Sequence, residues 1–129
     1  MKKGYKALLA EAEAEIEAVT PAEAAQLIGQ EDIVFVDIRE PAELAREGAI
    51  PGAQAMPRGV LEFWIDPESP YHKQIFASGK TFVFFCAAGW RSALATKTAQ
   101  DMGLAPVKHI AGGFTAWQAA GLPTLPPKR

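Results

Sequence analysis

The spacing of apolar residues changes period several times along the chain. Over residues 4–18, Tyr5, Leu8, Leu9, Ala12 and Ile16 recur at steps of three and four through an Ala- and Glu-rich background, with Val19 continuing the series. That period predicts an amphipathic helix. Thr20-Pro21-Ala22-Glu23 then reads as an N-cap, a proline at the first helical position and a glutamate three residues past the cap, opening a second helix that ends near Gly29. Ile33-Val34-Phe35-Val36 breaks the helical period. A continuous β-branched and aromatic run of this kind is a strand covered on both faces, and Asp37 lies at its carboxyl end.

Residues 40–47 predict a short helix stopped by Gly48, and Ile50-Pro51-Gly52 turns the chain into a brief strand over residues 53–56. Further short helices are expected at 60–64 and 71–76, separated by Pro67 and Pro70. A second apolar run, Thr81-Phe82-Val83-Phe84-Phe85, ends at Cys86 and is followed by a helix over 91–102, with Gly103 as its C-cap. Residues 106–110 form a last short strand, and Gly112-Gly113 lead into a helix with Phe114 and Trp117 on its inner face. Strands alternating with helices imply an α/β sandwich with a mainly parallel sheet, in which function gathers at the carboxyl ends of the strands. The only low-complexity feature is the Pro-containing tail over 123–127.

The length of 129 residues, 49% of them hydrophobic and 22% charged, suits one domain with a single core. A net charge of −2 with dispersed Lys and Arg lacks the footprint of a nucleic-acid binder. Glu11, Glu13, Glu15 and Glu17 interrupt any apolar run that would act as a secretory or membrane segment, so no membrane association is expected and the expected location is the cytoplasm. One cysteine excludes an intramolecular disulfide. A metal site would have to draw on the well-separated His72 and His109, and neither a metal nor another cofactor is expected.

Cys86 is followed by Ala87-Ala88-Gly89-Trp90-Arg91-Ser92, which places a thiol at a strand-to-helix turn. The helix N-terminus there has unpaired N–H donors and roughly half a positive charge, so a thiolate is stabilised. Cys86 is therefore a candidate nucleophile, beside the alternative of a buried structural cysteine.

Four segments occur together: Asp37-Ile38-Arg39-Glu40-Pro41-Ala42-Glu43, Gly48-Ala49-Ile50-Pro51-Gly52-Ala53, residues 86–92, and Gly112-Gly113-Phe114-Thr115-Ala116-Trp117. Their order and spacing resemble the single-domain rhodanese, or sulfurtransferase, family over residues 19–122. The resemblance implies a three-layer sandwich with a five-stranded sheet, preceded by the helix of residues 1–18. It makes Cys86 the persulfide-forming nucleophile, residues 86–91 the active-site loop, and Arg91 a second catalytic candidate. Ala87, Ala88, Gly89, Trp90 and Ser92 become the candidate substrate-binding residues, with Asp37 and Arg39 as supports of the site. The implied partners are a small-molecule sulfur donor such as thiosulfate or a persulfide, and an acceptor such as cyanide, a small thiol or a protein thiol.

Each of these residues also has a plainer role. Arg91 can bind loop carbonyls or a carboxylate, Ser92 can cap the helix, and Trp90 can pack rather than recognise. Asp37 can hold the neighbouring loops and pair with an arginine instead of acting as a base. His72 and His109 are read as surface or packing residues, because nothing in the sequence ties either to Cys86. The Cys-x4-Arg spacing is one residue shorter than the Cys-x5-Arg loop of related phosphatases, which favours a single sulfur atom over a tetrahedral phosphate or arsenate. Neutral Ala87 and Ala88 make thiosulfate a poor donor, and Ala49 stands where the family often has histidine. A non-catalytic binding module on the same fold is the alternative, with the N-terminal helix recruiting a partner or forming a homodimer.

Overall fold

The two uninterrupted apolar runs lie side by side as β2 (Ile33–Asp37) and β4 (Thr81–Phe85), paired in parallel from Ile33 opposite Thr81 to Asp37 opposite Phe85. A computed structural model describes residues 1–128. Alternation along the strands sends Val34, Val36, Phe82 and Phe84 into one core, and Phe35, Val83 and Phe85 into the other. Helices α4 (Leu61–Ile65) and α5 (Trp90–Asp101) cover the first face through Leu61, Ile65, Ala95 and Ala99. The second face is covered by α2 (Pro21–Leu27) and α6 (Gly113–Ala119) through Ala24, Phe114 and Trp117. The result is the three-layer α/β sandwich, with strand order β1-β5-β4-β2-β3 and every pairing parallel. In that order β1 is Glu17–Val19, β3 is Gln54–Ala55 and β5 is Val107–Ile110.

The apolar spacing extends the first helix to residue 18, whereas α1 (Tyr5–Glu15) stops earlier and Glu17–Val19 form an edge strand. The reason is tertiary. Ala18 and Val19 lie opposite His109 and Ile110, Ala111 N donates to Val19 O at 2.8 Å, and Lys108 reaches the Glu17 carboxylate at 2.6 Å. These ladder bonds outcompete another half-turn of helix. The expected helix at 71–76 is instead a single 3-10 turn, Gln74–Ala77, where Phe76 stacks on Phe82 with ring centroids 5.1 Å apart.

Helix α1 lies on α5 of the same chain. Ala12 is fully buried, Gln100 Nε2 donates to Glu15 O at 2.9 Å, and the Tyr5 ring sits 5.2 Å from that of Trp90. Helix α3 (Pro41–Glu47) follows β2 and carries Glu43 toward the end of β4. The Pro-containing tail is pinned back on this region, since Leu125 and Ala49 exchange both backbone bonds at 2.7 and 3.1 Å. No helix among the described residues is long and apolar enough to cross a membrane.

Candidate active site

β4 delivers Cys86 to the carboxyl edge of the sheet, and the chain turns through Ala87, Ala88 and Gly89 before α5 begins at Trp90. Gly89 is the N-cap at φ 101°, a left-handed conformation that glycine adopts without Cβ strain. Helix α6 grips the outer side of this turn. Phe114 N and Thr115 N donate to the carbonyls of Cys86 and Ala87 at 2.8 and 3.0 Å. Gly113 permits that approach, for a Cβ there would stand 2.7 Å from Ala87 O.

With its first two carbonyls tied to α6, the loop turns amides toward the sulfur. Gly89 N lies 3.2 Å and Ser92 N 3.4 Å from Cys86 Sγ, and Cys86 is 1% exposed. Two backbone donors at the start of a twelve-residue helix form an anion cradle around the thiol. Ala88 and Trp90 are exposed at its rim and Ala87 is half-buried, so the loop presents small neutral side chains and one large aromatic face.

Ser92 is the third residue of α5, and Gly89, not Ser92, holds the cap position. The Ser92 side chain is fully buried, with Oγ 3.6 Å from Cys86 Sγ and 2.9 Å from His109 Nδ1. His109 is buried rather than on the surface, and β5 brings its ring to Ser92, the residue beside the thiol. Its only sequence signal is the alternation along β5, which sends Val107 and His109 to the α5 side. His72 lies apart in a surface turn, its amide donating to Ser69 O.

Arg91 binds a carboxylate. Its two terminal nitrogens donate to the two oxygens of Glu43 at 2.7 and 2.9 Å, a bidentate pair joining the loop to α3. This hydrogen bonding holds Glu43 down to about 2 and raises Arg91 further. A carboxylate with a depressed folded-state value stabilises above its unfolded value and loses that contribution as pH falls through the folded one. Glu43→Gln is thus expected to cost about 1 kcal/mol or less at neutral pH, because the Arg91 side chain is 40% exposed and the pair is partly screened. The difference from wild type should shrink as pH falls from about 4.5 toward 2; urea denaturation of both proteins across that range measures it.

Asp37 and Arg39 are each 1% exposed and pair with one another. Arg39 Nη2 donates to Asp37 Oδ2 at 2.7 Å and to Gly48 O at 2.9 Å, Nε donates to Asp37 Oδ1 at 3.0 Å, and the guanidinium stacks 4.3 Å from the Phe114 ring centroid. This ties the end of β2 to the end of α3 and to the helix that grips the Cys86 turn. Among the described residues, no group of three or more His, Cys, Asp and Glu is placed to hold a metal.

A family model, described as a rhodanese-like domain, matches residues 20–120. The chain belongs to the rhodanese-like family. A sulfurtransferase of Allochromatium vinosum is 32% identical over 103 residues, covering 80% of this chain and 88% of that protein. Curated relatives differ in length, and the chain spans only 56% of an uncharacterised Synechocystis protein to which it is 34% identical over 110 residues. Among solved structures, a Rhodopseudomonas palustris protein of unknown function, described as a possible tyrosine phosphatase, is 58% identical, with 96% of each chain covered and a TM-score of 0.93. The polysulfide-sulfur transferase homodimer of Wolinella succinogenes is 30% identical, with 94% of this chain and 86% of that one covered and a TM-score of 0.71.

Proposed function

We propose that this rhodanese-like protein moves a sulfane sulfur from a donor to an external nucleophile through a persulfide on Cys86. The observation that carries the reading is the convergence of Gly89 N and Ser92 N on Cys86 Sγ at 3.2 and 3.4 Å. In the first half-reaction the Cys86 thiolate attacks the sulfane sulfur of the donor. A new S–S bond forms, the donor's own bond to that sulfur breaks, and its electron pair leaves with the donor remnant: sulfite from thiosulfate, a thiolate from a persulfide. In the second, cyanide or a thiol attacks the terminal sulfur, and the electron pair of the Cys86 S–S bond returns to the thiolate. The attacking thiolate and the persulfide it forms are both anions, and the same cradle serves each. The single cysteine leaves resolution to an outside acceptor.

Neutral Ala87 and Ala88 give a dianion such as thiosulfate no extra cationic partner, which favours persulfide or polysulfide donors. The tyrosine-phosphatase description carried by the Rhodopseudomonas relative motivates the rival reading. Two features weigh against it: the loop has one residue fewer than a phosphatase loop, and both terminal nitrogens of Arg91 are engaged by Glu43 instead of free for a bidentate phosphate.

Incubation with a polysulfide, thiosulfate or mercaptopyruvate is expected to add about 32 Da to the intact protein, removable by cyanide or dithiothreitol. Phosphate release from an aryl phosphate is expected to stay at background. Failure of every donor to give the adduct would remove the proposal, and brisk phosphatase turnover would replace it.

A further inference from the structure

A chain of three side chains runs inward from the thiol. Cys86 Sγ lies 3.6 Å from Ser92 Oγ, which lies 2.9 Å from His109 Nδ1, and all three residues are at most 5% exposed. The Ser92 hydroxyl has one hydrogen and two candidate acceptors: Gly89 O at 3.4 Å and the closer imidazole nitrogen. With the hydroxyl aimed at Nδ1, its oxygen is left to accept from the thiol S–H. We propose that His109 is a positioning residue for the sulfur chemistry, taking up the proton of Cys86 through Ser92 when the thiolate forms. The inference rests on the reading of Cys86 as the sulfur-carrying nucleophile.

The transfer balances without another reactant. Before it, Cys86 S–H donates to Ser92 Oγ and Ser92 O–H donates to His109 Nδ1. Afterwards His109 Nδ1–H donates to Ser92 Oγ, Ser92 O–H donates to the thiolate, and Gly89 N and Ser92 N donate to the same sulfur. One proton has left sulfur and one has arrived on imidazole; the serine keeps a single hydrogen throughout.

The surroundings suit this role. Burial lowers His109 from its ordinary value and so favours the neutral ring, while Glu13 on α1 acts the opposite way and favours the imidazolium once formed. On the strands beside β5 the ring's partners in register are the uncharged Ala18 and Phe84, and Glu17 of β1 is paired with Lys108. From α5 the nearest charged group in sequence is Arg91, whose two terminal nitrogens are held by Glu43. Beside the loop, His109 lines a shallow depression with Glu13, Ala88, Trp90 and Gly112.

The chain has two histidines, His72 and His109, so their ring-proton NMR signals separate readily. The titration of His109 is to be compared in wild type and in Cys86→Ser, which removes the ionisable sulfur. The expected result is a midpoint about one unit or more lower in Cys86→Ser, because the favourable charge of the thiolate is gone. Equal midpoints overturn the proposal. The second arm follows persulfide loading against pH in wild type and His109→Asn, which retains a hydrogen-bonding side chain but cannot accept the proton. Loading is expected to slow about tenfold or more near neutrality, with its pH profile moved upward. Loading at the wild-type rate throughout would reduce His109 to a support for Ser92 and likewise overturn the proposal. If His109→Asn fails to fold, the wild-type and Cys86→Ser titrations still decide. They need no sulfur donor, so their failure is distinct from a failure of sulfur transfer itself.

Discussion

Cys86→Ser is expected to acquire no sulfur from any donor that loads the wild-type protein, while keeping a similar melting temperature. The serine hydroxyl fits the same space and can accept from Gly89 N and Ser92 N, which lie 3.2 and 3.4 Å from Sγ in the native chain. The turn therefore keeps its internal hydrogen bonds. What disappears is the only atom able to become a nucleophilic anion near neutral pH and carry a second sulfur. Intact mass after donor treatment reads the loss directly, and circular dichroism shows that the fold survives. A cyanide-labile 32 Da adduct on Cys86→Ser, or equal cyanide turnover, would mean that the chemistry takes place elsewhere.

Asp37→Ala is expected to destabilise the fold by about 3–5 kcal/mol, because it strands the Arg39 guanidinium, 1% exposed, without its anion. That is a large share of the roughly 5–15 kcal/mol that holds a domain together. The melting temperature should fall by about 10–20 °C. Replacing both partners at once, Asp37→Leu with Arg39→Met, should cost much less than Asp37→Ala, since two apolar side chains leave no charge unpaired. A double-mutant cycle read by urea denaturation measures this coupling. A loss below about 1 kcal/mol in Asp37→Ala would show that water or another group replaces the carboxylate. The effect should spread to the thiol, since Arg39 stacks on Phe114, whose amide holds Cys86 O at 2.8 Å.

The bidentate Arg91–Glu43 pair changes the meaning of the loop arginine. It acts as a strut between the first turn of α5 and α3, closing the open side of the loop while α6 holds the other. The cradle is thus built from backbone amides, and the surrounding side chains serve to keep those amides aimed.

Local chemistry in the sequence sufficed for the central strands and for the turn that carries Cys86. Thr81 to Phe85 has no polar interruption, so it had to be a strand buried on both faces, and Gly89 after Cys86 marked the only place where the backbone turns tightly into α5. Thr20 and Glu23 form their capping box within four residues, which is why the start of α2 was legible. Contacts between distant segments were not. Glu17–Val19 become a strand only because β5 offers a ladder, and α1 finds its partner only once α5 is in place. Arg91 meets Glu43 across 48 positions and Ser92 meets His109 across 17. A residue's neighbours along the chain determine period, caps and turn chemistry, whereas a hydrogen bond between α5 and β5 exists only after the sheet has ordered them. So the sequence by itself placed the thiol at a strand-to-helix turn; the packing of α3, α5, α6 and β5 around that turn decided which groups surround the sulfur and which histidine stands behind it.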